Sequence, residues 1–372
     1  MAFQKLFPKR FLGIDIGTSA IKIVELSRWR ERIKLENYGE ILSKILYQKP
    51  FRTFEKSTLL LSNKDIARAI KSVMMEAQIK TRKCIFSIPD FSSFFTNFEL
   101  PPMTKEELSQ AVTFEAKRHI PLPMGEVTID WEVLKGEINE KKTKLKILLV
   151  AVPNEVINQY REIAQLSQLE LFALEAEVFG LLRSLIPEDE KRIIGLIDIG
   201  AQSTTCSIIE KGVLVKSHSF DVGGNQLTEQ VAKSLSIDYK TAENLKAKYG
   251  LLSGLELERH PSSTLPPSVG PWAEKNIRQV LLPLIDLILK EIEKIAKNFY
   301  QIEGKEIQKF IIAGGTAFLP GLKEYFEDYF KKEIEIANPF SKIFYPPILE
   351  ETLKKMGPSY AISVGMALRG LE

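Results

Sequence analysis

Phe11-Leu12-Gly13-Ile14-Asp15-Ile16-Gly17-Thr18-Ser19-Ala20-Ile21-Lys22-Ile23-Val24-Glu25-Leu26 sets two runs of β-branched and aliphatic residues on either side of a Gly-Thr-Ser turn, which predicts a β-hairpin. Its tip suits a phosphate. Gly17 lets backbone N–H groups approach an anion, Thr18 and Ser19 add hydroxyl donors, and Lys22 adds a cation that reaches back. Asp15 repels a bare phosphate, so the pattern calls for a divalent cation between them, bridged by its waters.

The frame occurs twice. Leu196-Ile197-Asp198-Ile199-Gly200-Ala201-Gln202-Ser203-Thr204-Thr205-Cys206-Ser207-Ile208-Ile209-Glu210 repeats strand, Asp-Ile-Gly, small hydroxyl residues and second strand. A duplicated chain with one such hairpin in each half is built to clamp a triphosphate and its metal. Gly200, Ala201, Gln202, Ser203 and Thr204 then form the second loop.

Bulk properties narrow the class. A chain of 372 residues has room for more than one core, and 44% hydrophobic with 27% charged residues is the balance of an ordinary globular protein. A net charge of +3 compels neither a nucleic-acid nor an anionic-membrane partner. Cys84 and Cys206 are isolated, which fits neither a disulfide framework nor a metal site and points to a reducing cytoplasm. The run Ile277 to Phe299 is interrupted by Pro283, Asp286, Lys290, Glu291 and Glu293, so it reads as an amphipathic helix and not a membrane span. His119, His218 and His260 are scattered, and Lys141, Lys142, Lys144 and Lys146 read as a solvated loop.

Along the chain, a third strand at Arg32 to Glu40, a helix capped by Ser62 or Asn63, and a strand at Cys84 to Pro89 open an α/β domain. From Phe91 to Gln168 the texture changes: an aromatic-polar alternation, a Thr104-x-x-Glu107 capping box, strands at Val127 to Leu134 and Leu145 to Val152, and a helix at Asn154 to Leu166. That unit reads as an insertion. The frame resumes with a strand at Phe172 to Leu174 and a helix at Glu177 to Leu185, where Glu177 is either a helix N-terminal carboxylate or an acid facing a cleft. Gly223-Gly224-Asn225 opens a helix, and Glu243 and Lys246 stand one turn apart on another, an ordinary surface ion pair on the plainest reading. Gly254 to Pro271 reads as a loop. Lys309 to Ala313 is a buried strand running into Gly314-Gly315-Thr316, where a ligand has room against bare backbone. A small-residue helix is expected from Ser359 to Leu368.

Together these residues resemble the actin-like ATPase superfamily of actin, sugar kinases and heat-shock chaperones. Asp15 to Lys22 matches its first phosphate loop, Asp198 to Thr204 the second, Gly314 to Ala317 the adenosine loop, and Glu243 with Lys246 the helix beside ribose and adenine. Within it, the chain is most similar to the PilM family of type IV pilus assembly. Phe11 to Leu26, Glu99-Leu100-Pro101-Pro102-Met103 leading to Pro121, and Asp221 to Thr228 carry that match, and the insertion resembles the extra subdomain shared with the division protein FtsA. The resemblance implies duplicated α/β, ribonuclease H-like domains around a nucleotide cleft. Their expected extents are 1–90 with 169–190 for the first half, 91–168 for an FtsA-like α+β insertion, 191–222 with 305–354 for the second half, 223–304 for an adenosine-side helical part, and 355–372 for a helix returning to the first half.

It further implies ATP and Mg2+ as cofactors, with Asp15 and Asp198 on the solvated metal. Gly17, Thr18, Ser19, Lys22, Gly200, Ala201, Gln202, Ser203 and Thr204 would serve the phosphates, Gly223, Gly224, Asn225, Glu243, Lys246, Gly314, Gly315 and Thr316 the nucleoside side, and Glu177 would order water. Ser359 replaces the aspartate of chaperones in the second connecting segment and Val178 stands where proline is usual, so slow or no hydrolysis is expected.

The implied role is a cytoplasmic scaffold, peripheral at the inner membrane, that binds the N-terminal cytoplasmic tail of PilN and through it PilO. Self-association is left open. An extended peptide is expected where the insertion meets the first half, with Phe91, Phe94, Phe95 and Phe98 as its pockets or, equally, as the insertion's own core. The rival readings are a filament-forming FtsA-like division ATPase, disfavoured by a chain ending at Glu372 without an amphipathic tail, and a metabolic kinase of the sugar-kinase branch.

Overall fold

The structure, a computed structural model, describes residues 8–43, 50–51, 59–138, 143–252 and 271–372. The loop expected at 254–270 lies outside these residues, as do His260, Lys141 and Lys142. The chain opens with β1 (Lys9–Ile16), β2 (Ala20–Trp29), β3 (Arg32–Leu42), α1 (Asn63–Glu76) and β4 (Lys83–Ile88). Next come β5 (Phe94–Leu100), α2 (Lys105–Ala116), β6 (Val127–Lys135) and β7 (Leu145–Pro153), then α3 (Asn154–Leu166), β8 (Glu170–Ala176) and α4 (Glu177–Leu185). The second half holds β9 (Ile193–Ile199), β10 (Thr204–Glu210), β11 (Val213–Phe220), α5 (Gly224–Leu235), α6 (Tyr239–Tyr249), α7 (Pro271–Glu303), β12 (Lys309–Ala313), α8 (Leu322–Phe330) and β13 (Glu333–Ile336). The last helix, α9 (Glu350–Leu371), closes the chain.

Two sheets share one plan. The first runs β3-β2-β1-β4-β8 and the second β11-β10-β9-β12-β13. In each, an antiparallel meander is extended by two parallel strands. Helices separate the layers because the strands are apolar on both faces, as sheets covered on both sides require. Leu12, Ile14 and Ile16 of β1 face an outer core with α1, while Ile197 and Ile199 of β9 face an outer core with α5, α6 and α7. The opposite faces meet a shared central core in which Phe11, Ile194 and Leu196 pack with residues of α4 and α9.

Close approach of α9 to β1 depends on Gly13, where a Cβ would fall 1.8 Å from the Ser363 carbonyl oxygen. The composition predicts this helix only from Ser359; it starts at Glu350 and carries Pro358 inside. A proline forfeits one helical hydrogen bond, but Leu353 and Tyr360 on either side are buried in the central core and hold the helix across the break. The Pro358 carbonyl also accepts the Gly314 N–H at 2.9 Å, which ties the helix to the glycine turn after β12.

The inserted unit is a three-stranded sheet in the order β5-β7-β6, covered on one face by α2. Thr104 and Glu107 form the reciprocal capping box that opens α2. Helix α3, read from sequence as the end of the insertion, belongs instead to the first half. Its Val156, Tyr160, Ile163 and Ala164 share the outer core with Leu12, Ile66 and Ile70, because its apolar stripe faces α1.

Candidate functional site

The pleat decides where the two aspartates go. Side chains alternate along a strand, so Asp15 shares the face of Phe11 and Gly13, and Asp198 the face of Ile194 and Leu196. Both faces look onto the central layer. Each aspartate stands at the carboxyl end of its strand, the end where ligands collect in sheets of this kind. Asp15 is 4% exposed and accepts the Ser87 hydroxyl on Oδ1 at 2.8 Å.

The loops after them are alike. Gly17 N–H donates to the Ala20 carbonyl and Gly200 N–H to the Ser203 carbonyl, each at 2.9 Å. Their surroundings differ. The Thr18 and Ser19 carbonyls accept N–H groups of Phe51 and Ser43, whereas those of Gly200 and Ala201 accept N–H groups of Gly224 and Asn225. Gln202 and Ser203 are half-buried at the second tip. Thr204 does not reach the cleft: it is fully buried and its hydroxyl donates to the Val222 carbonyl at 2.7 Å, fastening the loop from behind.

The nucleoside-side residues converge on one wall. A Cβ on Gly224 would fall 2.7 Å from Thr316 Oγ1, and a Cβ on Gly314, whose φ is +90°, would fall 2.5 Å from Asp198 Oδ1. Gly315 has no atom within 4 Å of its Cβ position, so it borders open space. Lys246 is more than a surface partner of Glu243. It is 7% exposed, and its Nζ donates to Glu243 Oε2 at 2.8 Å, Thr228 Oγ1 at 2.7 Å and the Gly224 carbonyl at 3.0 Å. Thr228 also donates to the Glu243 carboxylate. Asn225 Oδ1 accepts the Tyr239 hydroxyl at 3.0 Å, so its side chain braces α6.

Lys22 is the register partner of Asp15 and lies 5.9 Å from the centre of the Tyr360 ring. Burial, together with the Glu40 charge, pushes the Tyr360 phenol upward, so it remains a neutral ring beneath the ammonium. Glu177 is 5% exposed at the start of α4, where it accepts the Asp90 N–H at 3.4 Å. Asp90 answers by accepting the Val178 N–H at 3.1 Å, capping α4 from a neighbouring segment. Ser359 donates to the Met356 carbonyl at 2.9 Å.

A family model described as type IV pilus assembly protein PilM matches residues 13–258. The chain belongs to the PilM family. A model of cell division protein FtsA matches residues 195–365. FtsA of Streptococcus pneumoniae serotype 2 (strain D39 / NCTC 7466) is 21% identical over 361 residues, covering 88% of this chain and 75% of that protein. Among solved structures, a PilM-PilN type IV pilus biogenesis complex gives a TM-score of 0.81 at 24% identity, covering 97% of this chain and 98% of that one. MreB5 of Spiroplasma citri bound to ADP gives 0.52 at 14% identity, covering 97% and 95%. These likenesses establish an actin-like fold.

The PilM-family chain also has a groove of about 810 Å³ between two sheet edges, β6 of the insertion and β8 of the first half. Trp131, Phe172 and Phe179 line it, with Asp130 and Glu132 on one wall and Arg161 on the other. None of the four phenylalanines expected where the insertion meets the first half lines this groove. Phe94 and Phe98 pack in the insertion's own core and Phe95 turns to the central core against Phe179, because alternation along β5 sends neighbours to opposite faces. Phe91 and Phe94 border a separate cavity of about 460 Å³ between Leu122 of the insertion and Asn154 of α3, where the insertion meets the first half. Sequence reading also missed Ser87, Asp90 and Thr228. A lone serine two residues after Ile85 in an apolar strand was the available signal for the first; the other two needed contacts distant in sequence.

Proposed function

We propose that this PilM-family chain is a nucleotide-dependent scaffold of type IV pilus assembly, binding magnesium ATP between its halves and a PilN tail in the β6–β8 groove. The observation that carries the reading is the pair of Asp-Ile-Gly loops at the carboxyl ends of two equivalent sheets, each aspartate on the sheet face turned to the shared central layer. The residues fit the ligand: two carboxylates of opposite halves, hydroxyls at Thr18, Ser19 and Ser203, and open space at Gly315. Among the described residues no cluster of three His, Cys, Asp or Glu side chains is placed to hold a metal. In this reading the cation would be held through its waters and the phosphates, with Asp15 and Asp198 as outer partners.

Magnesium, when bound, neutralises phosphate charge. Lys22 adds a positive charge beside Asp15, the loop N–H groups donate to phosphate oxygens, and Lys246 fixes the wall where the nucleoside lies. Glu177, held by the Asp90 N–H, orders water for slow hydrolysis. Because each half supplies one loop, nucleotide favours the closed arrangement.

No helix among the described residues is long and apolar enough to cross a membrane. In this reading the chain reaches the inner membrane from the cytoplasm through its partner, PilN, and beyond it PilO. An extended PilN tail can add to the β8 or β6 edge by backbone hydrogen bonds, with apolar side chains against Trp131 and Phe172. Calorimetry with the N-terminal peptide of a PilN from the same genome tests this. Trp131→Ala with Phe172→Ala should weaken binding more than about tenfold, as loss of aromatic anchors does; unchanged affinity would place the peptide elsewhere. The FtsA match over 195–365 favours a second reading, nucleotide-dependent filaments of this chain, which sedimentation with magnesium ATP would reveal.

A further inference from the structure

Strands β1 and β4 are parallel neighbours in the register Leu12↔Cys84, Gly13↔Ile85, Ile14↔Phe86. One step further along both strands, Asp15 meets Ser87. The hydroxyl donates to Asp15 Oδ1 at 2.8 Å, and the serine is 1% exposed. In the second half the same relation links β9 to β12, but there Asp198 is in register with Ala313, and the Gly314 backbone follows. The duplicated plan thus carries a hydroxyl beside one aspartate and none at the equivalent place beside the other.

A buried hydroxyl on a carboxylate restricts rotation of the group and occupies one of its oxygens. With Oδ1 engaged, Oδ2 is turned toward the phosphate turn, 3.9 Å from the Cβ position of Gly17. We propose that Ser87 is a positioning residue for the divalent cation, holding Asp15 so that Oδ2 alone faces the cation's water shell. This rests on the reading of the cleft as a magnesium-nucleotide site. A serine serving only the strand end would lower stability without distinguishing nucleotide with metal from nucleotide alone.

The test is calorimetry on the full chain, titrating Mg2+ into ATP-loaded protein and, separately, ATP into protein in EDTA. Ser87→Ala should lower Mg2+ affinity about tenfold, the scale of a hydrogen bond to a charged group, and leave metal-free ATP affinity unchanged. In an Asp15→Asn background the same change should produce no further loss, since Ser87 acts only through that carboxylate. Ser87→Cys, which fills the space with a weak donor, should behave like Ser87→Ala and supplies the measurement if the alanine variant does not fold. Wild-type Mg2+ dependence in either variant, equal losses with and without metal, or an additive loss beside Asp15→Asn would overturn the inference. Failure of the unaltered chain to bind ATP under any condition would instead remove the cleft reading beneath it.

Discussion

At equivalent points of two sheets, Asp15 is 4% exposed against Ser87 of the next strand, while Asp198 is half-buried against the bare backbone of Gly314. The cations differ as well. Lys22 of the first half is half-buried over an aromatic ring, whereas Lys246 of the second is buried and fully engaged by three oxygens. Even the strands beneath differ: Gly13 lets α9 settle onto the first sheet, where the second presents Leu196 at the matching position. Duplication preserved the turn and its hydrogen bond; the neighbours divided the work. In the first half a side-chain hydroxyl holds the aspartate, and in the second the aspartate lies against the Gly314 backbone.

The sharpest way to break that comparison is to remove each aspartate. Asp15→Ala and Asp198→Ala should each weaken magnesium-ATP binding by about hundredfold or more, the scale of losing a preorganised electrostatic partner. Asp15→Ala should also lower stability, by about 1–3 kcal/mol, because it leaves the Ser87 hydroxyl buried without its acceptor. Calorimetry and thermal melts separate the two effects. A wild-type melting temperature in Asp15→Ala would mean that the Ser87 hydroxyl finds another acceptor and does not depend on this carboxylate.

Much of this was legible from local pattern. The hairpins, the Thr104 capping box and helices such as Asn154–Leu166 and Glu177–Leu185 follow from alternation, capping and periodicity, which are written in consecutive residues. What those elements pack against is not. Helix α3 has an apolar stripe whose partner, α1, is remote in sequence, so adjacency to the insertion misassigned it. Pro358 looks like a helix boundary because the packing that carries α9 across it involves the central core. In the site, the Asp-Ile-Gly frames marked both loops, yet Thr204 faces away from the cleft because alternation turns its hydroxyl to Val222. Asp90 reaches Val178 only through the fold.

The lysines sharpen the division of labour at a smaller scale. Lys246→Ala strips a donor from the Gly224 carbonyl, Thr228 and Glu243 together, so it should reduce ATP affinity about tenfold and stability by about 1–3 kcal/mol, the Glu243 share being screened by solvent. Lys22→Ala removes a charge with a more open setting. Affinity should fall about fivefold at low salt and less at high salt, with no change in melting temperature. A salt-independent loss in Lys22→Ala would show that it contributes packing against Tyr360 and not charge.

The smallest effect asks whether the halves open together. Cys84 lies in the outer core of the first half and Cys206 in that of the second, and burial pushes both thiols up to about 12. At pH 8 neither should react with a thiolate-specific reagent until its own half opens, so each labelling rate reports the stability of one half. Nucleotide bound across the cleft stabilises whatever opening would release it. At a magnesium-ATP concentration of about twice Kd, both rates should slow by about threefold. Slowing confined to Cys206 would place the nucleotide on the second-half wall alone, and the first hairpin would then be a structural relic of duplication and not a working loop.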